Sequence, residues 1–219
     1  MDLFFDLDGT LLDVSKRHHA VYAKIVRTLG GTPLSHARYW RMKRKKAAWP
    51  MLLTKSGLAR KDTKRFLEMF VHEIERPAYH SYLRLFPATK RVLASLGKKH
   101  RLYLFSLRRS PRRLNAEVRA LGLTPYFDRI LSGHHEGSES WETKARLARR
   151  IFKRKKADAV IIGDTEADVK AAKQLGVASI AVTSGIRTET LLKRLKPDML
   201  LRNVALLPRA VERLDRAHH

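Results

Sequence analysis

Four short apolar runs in the second half of the chain, residues 102–106, 129–132, 159–163 and 179–182, alternate with stretches of helical patterning. The helices are predicted over 90–99, ending near Gly97, over 111–121, stopped by Gly122, and over 142–155 and 166–175. Strands separated by helices in this way predict parallel βαβ units with right-handed crossovers, and therefore an α/β fold. A fifth apolar run, residues 3–7, opens the chain and stops at Asp8-Gly9-Thr10, which is turn chemistry.

Between the first run and the other four the pattern changes. From Asp13 to about Leu85 the apolar positions recur at helical spacing and no strand run is convincing. The clearest helices are 14–29, followed by the break Gly30-Gly31-Thr32-Pro33, and 63–79. Alternation resumes after Leu85-Phe86-Pro87. The expected organisation is a core of residues 1–13 and 86–219, with residues 14–85 threaded into it as a helical insertion.

That insertion carries much of an unusual charge. The chain holds 46 Lys and Arg against 21 Asp and Glu, a formal +25, and residues 14–85 alone hold 17 basic residues and 4 acids. The densest run, Arg38 to Lys46, places Tyr39 and Trp40 among cations, as nucleic-acid surfaces can. A solvated helix face is the favoured reading, so nucleic acid is a permitted partner and not the favoured one. Trp40, Trp49 and Trp141 are read as partial core rather than stacking platforms.

At 219 residues the chain is long enough to bury a sizeable core. It contains no cysteine, which excludes disulfides and thiolate metal sites and leaves carboxylates or His as metal ligands. Acids interrupt the N-terminal apolar run too early for a signal segment, and no later stretch approaches the roughly 18 apolar residues of a membrane span. A soluble cytoplasmic protein with no membrane partner is the expectation.

Ligands of open parallel sheets bind outside the carboxyl ends of the strands. The polar groups expected there are Asp6 and Asp8 after the first strand, Ser106 after the second, Lys144 near the start of a helix, and Asp164 with Asp168 after Val160-Ile161-Ile162-Gly163. Several carboxylates, a lysine and a hydroxyl suit a phosphate and a hard cation. Asp6 is placed for nucleophilic attack. Asp8 is expected to direct its carboxylate elsewhere, to the leaving-group oxygen, as general acid and then as general base toward water. Asp164 is the expected direct ligand of the cation and Asp168, four residues on, supports it. Thr10, Ser106 and Lys144 are the expected phosphate contacts, with Arg146 a substitute for the lysine. Asp2 and Asp13 are decoys by position, and His134-His135 are loop residues, since adjacent side chains diverge and no third ligand is spaced nearby.

Taken in order, Asp6-x-Asp8-Gly9-Thr10, Ser106, Lys144 and Gly163-Asp164-Thr165-x-x-Asp168 resemble the four motifs of the haloacid dehalogenase-like hydrolase superfamily. Phe105 to Arg109, Leu121 to Leu123 and Tyr126 to Asp128 are most similar to its phosphoglycolate-phosphatase-like branch. The resemblance implies a Rossmann-like three-layer α/β/α core, with the helical insertion as a C1-type cap. It further implies Mg²⁺ as cofactor, contacted by Asp6, by the backbone carbonyl of Asp8, and by Asp164 and Asp168. The implied activity is a phosphatase acting through an aspartyl-phosphate on a small phosphorylated metabolite such as phosphoglycolate, a sugar phosphate or a nucleotide. Two alternatives stand beside it: a phosphomutase of the same chemistry, and an end-processing phosphatase that uses the basic insertion on nucleic acid. Dehalogenation is disfavoured because Asp8 and the metal carboxylates would be superfluous for attack on carbon. Where that branch often has Pro after the motif lysine, Ala145 stands here.

Overall fold

A computed structural model of the chain describes residues 1–134, 139–151 and 158–217. It divides into two compact units, Met1–Leu12 with Leu85–His219, and Asp13–Arg84. In chain order the described elements are β1 (Asp2–Phe5), β2 (Leu12–Asp13), α1 (Ser15–Thr28), α2 (His36–Arg44), α3 (Trp49–Thr54), α4 (Thr63–Glu73) and β3 (Arg84–Leu85). There follow α5 (Thr89–Leu96), β4 (Arg101–Ser106), α6 (Pro111–Ala120), β5 (Arg129–Ser132), α7 (Ser140–Arg149), β6 (Ala159–Gly163), α8 (Glu166–Leu175), β7 (Ala178–Val182), α9 (Glu189–Arg194), β8 (Met199–Leu201) and α10 (Leu207–Ala217).

The first unit is built on a six-stranded sheet in the order β5-β4-β1-β6-β7-β8, parallel throughout. This is the α/β class expected from the alternation. The central strand β1 is buried along nearly its whole length, as a strand covered on both faces must be. One face presents Phe4, Tyr103, Phe105 and Ile161, and Ala145, Ala148, Ala171 and Ala172 of α7 and α8 pack onto it. The small alanines let those two helices lie against each other and against the sheet. The alternate residues Leu3, Phe5, Leu102, Leu104, Val160 and Ile162 are equally buried on the other face, which is the period of two expected of strands.

One predicted helix changes its bounds, and one strand is added. The helix predicted over 142–155 begins earlier, at Ser140, because the Glu142 side chain turns back to accept from the backbone N–H of Glu139, and it ends at Arg149, with Arg150 as its C-cap; residues 152–155 lie outside the described residues. The edge strand β8 has no counterpart among the predicted strands, being three residues long and half-buried, which leaves too little apolar run to detect.

The second unit is helical through α1 to α4. Its core gathers Val21, Tyr22, Ile25, Tyr39, Leu52, Leu53, Phe66 and Phe70. Tyr22 stacks on Tyr39 at 4.3 Å between ring centroids, and its hydroxyl pairs with Ser56 at 2.6 Å while accepting from the backbone N–H of Leu34. The helix predicted over 63–79 is cut at Glu73, and a 3-10 segment, Pro77–Tyr82, follows, because proline lacks the N–H a continuing helix requires. In the basic run Tyr39 is buried and Trp40 packs against the core, as does Trp49 just beyond it. Lys43 sits 4.5 Å from the centre of the Trp49 ring. The run therefore exposes cations while turning its aromatic rings inward.

Candidate active site

The chain order reverses about β1, which has β4 and β5 on one side and β6, β7 and β8 on the other. A parallel sheet opens a crevice at such a reversal. Phe5 is in register with Leu104 and Ile162, and the backbone N–H of Asp6 still bonds the Ile162 carbonyl at 2.9 Å. Asp6 is thus the first residue past the central strand. Beyond it the backbone turns tightly, with the Gly9 N–H bonded to the Leu12 carbonyl at 2.8 Å.

Four of the expected residues converge there. Lys144 of α7 lies 2.9 Å from Asp6 Oδ1 and also bonds Asp168 Oδ1. All three side chains are almost wholly buried, and the lysine ammonium rests 4.9 Å from the centre of the Phe105 ring. Arg146 points elsewhere, toward Thr143 Oγ1 at 3.4 Å. Asp168 accepts from the backbone N–H and hydroxyl of Thr165, at 3.0 and 2.7 Å, so it also completes the capping box of α8. Asp164 accepts from Thr10 Oγ1 at 3.0 Å and from the backbone N–H of Ile186 at 2.5 Å. The Thr10 hydroxyl, expected on a phosphate, commits its one hydrogen to orienting Asp164.

Ser106 is buried at the end of β4. Asp8 departs from the cluster: its carboxylate is gripped by Arg108 at 2.6 and 2.9 Å. Asp2 pairs with Arg101, and Asp13 accepts from the backbone N–H of Ser15 at 2.8 Å. His134 lies in a loop, and His135 falls outside the described residues.

Two glycines make the packing feasible. Gly9 has φ of +89°, and a Cβ there would also overlap the Asp164 carboxylate. At Gly163 a Cβ would collide with the Asp168 carboxyl group.

One lysine faces three buried carboxylates, and the imbalance shows in their acidity. Burial pushes the Asp6 carboxyl up to about 7, with Lys144 pulling it down and the neighbouring Asp168 and Asp8 pushing it further up. Burial likewise holds Asp164 well above the carboxylate range, reinforced by Asp6 and Asp168. Burial alone would lower Lys144, but Asp168 and Asp6 outweigh it and hold the ammonium above the ordinary lysine range. Asp6, Asp164 and Asp168 each offer an oxygen within 4.8 Å of the others. Such an oxygen set with excess negative charge fits a hard divalent cation. The Asp8 side chain is not part of it.

Arg108 and Glu117, its second partner, were not singled out from the sequence. Arg108 lies within the stretch Phe105 to Arg109 that carries the resemblance, but nothing local gives it a role of its own among 46 basic residues. Glu117 does carry one: it shares the apolar face of α6 with Leu114 and Val118 and is buried with them, and a charged group there implies a buried partner.

With fold and geometry in agreement, the chain belongs to the haloacid dehalogenase-like hydrolase family, whose model matches residues 3–176. Phosphoglycolate phosphatases are among the chain's relatives. It is 26% identical over 218 residues to a phosphoglycolate phosphatase of Synechococcus elongatus, covering 98% of each chain. A phosphoglycolate phosphatase of Aquifex aeolicus is 28% identical over 181 residues, covering 80% of each. A solved haloacid dehalogenase-like family protein of Streptococcus pneumoniae shares the fold with a TM-score of 0.76 and 20% identity, over 95% of this chain and 97% of that one. No helix among the described residues is long and apolar enough to cross a membrane.

Proposed function

We propose that the protein is a Mg²⁺-dependent phosphomonoester hydrolase that works through an aspartyl-phosphate on Asp6. The observation that carries this reading is the separation of the two acids of one turn: Asp6 lies on Lys144 beside Asp164 and Asp168, while Asp8 lies on Arg108. This separation supports a division of labour in which Asp6 works beside the phosphate-binding lysine and Asp8 serves proton transfer.

In the first half-reaction an Asp6 oxygen attacks phosphorus as the bond to the leaving oxygen breaks, and a proton from Asp8 passes to that oxygen. In the second, Asp8 takes a proton from water, the water oxygen bonds phosphorus, and the bond to Asp6 breaks. Lys144 holds a phosphate oxygen as a point charge and Ser106 offers a hydroxyl. Asp6, the backbone carbonyl of Asp8 and Asp164 would hold the cation, with Asp168 behind them. When bound, it would neutralise charge on the phosphate and the carboxylates. The helical unit, Asp13–Arg84, serves as the cap that selects the substrate, a small phosphorylated metabolite. The names of two relatives, matched over 98% and 80% of their lengths, favour phosphoglycolate.

Phosphate release from a panel of phosphorylated metabolites, with Mg²⁺ and with EDTA, tests the reading. Release only with the metal, abolished by Asp6→Asn in a folded protein, is expected. Turnover retained by that variant refutes the nucleophile, and accumulation of an isomeric sugar phosphate without free phosphate makes the enzyme a mutase.

A further inference from the structure

We infer that Arg108, braced by Glu117, is a positioning residue for the Asp8 carboxylate; the inference rests on the reading of Asp8 as the proton-transfer group. Arg108 follows Ser106 by two residues, just past the end of β4, and uses both edges of its guanidinium. On one edge Nε donates to Asp8 Oδ2 at 2.6 Å and Nη2 to Asp8 Oδ1 at 2.9 Å. On the other, Nη2 donates to Glu117 Oε1 at 2.8 Å and Nη1 to Oε2 at 3.5 Å. The plane of the guanidinium is therefore set by α6, and it sets the plane of the Asp8 carboxylate in turn.

Stability is a weak account of this arrangement. The side chains of Arg108 and Glu117 are only 8% and 3% exposed, and an apolar filling of the same volume is often as stable as such a buried pair or more so. Leucine at position 117 would continue the apolar face that Leu114 and Val118 begin. The third member differs: the Asp8 side chain, held by the guanidinium, remains 21% exposed. A side chain that must meet a leaving oxygen and then a water gains from such fixation, because small misplacement of a proton-transfer group costs large factors in rate.

Geometry also separates this role from substrate binding. Arg108 spends both guanidinium edges on protein carboxylates, whereas a phosphate-binding arginine would offer one of them to the ligand. The expected signature therefore lies in turnover and not in affinity.

The experiment compares wild type, Arg108→Met, Arg108→Lys and Glu117→Gln on phenyl phosphate and p-nitrophenyl phosphate with Mg²⁺. For phenyl phosphate, Arg108→Met is expected to lower kcat by about 10²-fold, the low end of what acid–base catalysis contributes, with KM changed by less than about threefold; Arg108→Lys should restore part of the loss. For p-nitrophenyl phosphate, whose leaving group needs little protonation, the same variant should release a rapid burst of nitrophenolate equal to the enzyme present, then turn over slowly, because attack proceeds while activation of water is impaired. Glu117→Gln keeps the shape of the brace and should show the same pattern at smaller amplitude, so it carries the test if Arg108→Met does not fold. A raised KM with kcat preserved would make Arg108 a substrate-binding group and overturn the inference. So would an unchanged kcat accompanied by a lower melting temperature. Failure of the parent reading is separately visible, as Asp6→Asn that retains activity or wild type that hydrolyses neither ester.

Discussion

Asp6 serves opposing demands, since a nucleophile aimed at phosphate must be ionised and yet lies where burial favours the neutral acid. Its raised value of about 7 fixes the sign of a stability effect. A carboxyl that holds its proton more tightly when folded contributes stability that is complete below its unfolded value of 3.8 and is lost as pH rises through about 7. Asparagine cannot ionise. Without metal, Asp6→Asn is therefore expected to melt at least about 2 °C above wild type at pH 8, the response to roughly 1 kcal/mol in a chain of this size, with the difference shrinking toward pH 5. A lower melting temperature at pH 8 would mean that the lost pair with Lys144 outweighs the relief of burial. Gly9 gives a second expectation at this scale. Gly9→Ala meets both a positive φ and the Asp164 carboxylate, so it should lower stability by about 1 to 3 kcal/mol and turnover with it, measured by urea unfolding and phosphate release.

At the scale of elements, β1, β4, β5, β6 and β7 were legible because each is an apolar run closed by a turn or a helix, and that alternation also placed the carboxyl ends where Asp6, Ser106 and Asp164 lie. The weaknesses have local causes. Strand β8 is a half-buried edge, and α4 stops short of its predicted extent ahead of Pro77. The Arg108–Asp8 pair joins residues 100 positions apart, and only the adjacency of β1 and β4 brings them together. The sequence also leaves hidden that one residue can serve two elements. Asp168 completes the capping box of α8 with Thr165 and anchors Lys144 of α7. These duties separate by substitution. Asp168→Asn keeps an acceptor for the cap and removes the charge that holds the lysine, whereas Asp168→Ala removes both. Chemical denaturation is expected to find the alanine variant less stable than the asparagine variant by about 1 kcal/mol, the net worth of a typical hydrogen bond. Equal stabilities would show that the cap contributes little.

For the whole molecule, the carboxylates that would hold a cation come from two segments of the first unit, Met1–Leu12 and the chain from Leu85 onward, with the entire helical unit between them in sequence. A cation shared by Asp6 and Asp164 would tie these segments together across the β1–β6 pairing, and so stabilise the folded state over the unfolded one by mass action. The size of that effect depends on pH in a direction set by the site. Burial and mutual repulsion favour protons on Asp6 and Asp164, and a proton competes with the cation for the same oxygens. As pH rises through about 7, the metal-free protein loses the stability those protons conferred while the affinity for the cation grows. Mg²⁺ at about 100 times its dissociation constant stabilises by about 2.7 kcal/mol, which corresponds to roughly 5 to 10 °C in melting temperature for a chain of this length. Calorimetry at pH 8 with and without Mg²⁺ is expected to show a shift of that order, and at pH 5 a shift of less than half. The shift should vanish at both pH values in Asp164→Ala and survive in Arg108→Met, whose side chain lies outside the oxygen cluster. A stabilisation that grows as the pH falls, or that persists in Asp164→Ala, would place the cation elsewhere in the molecule.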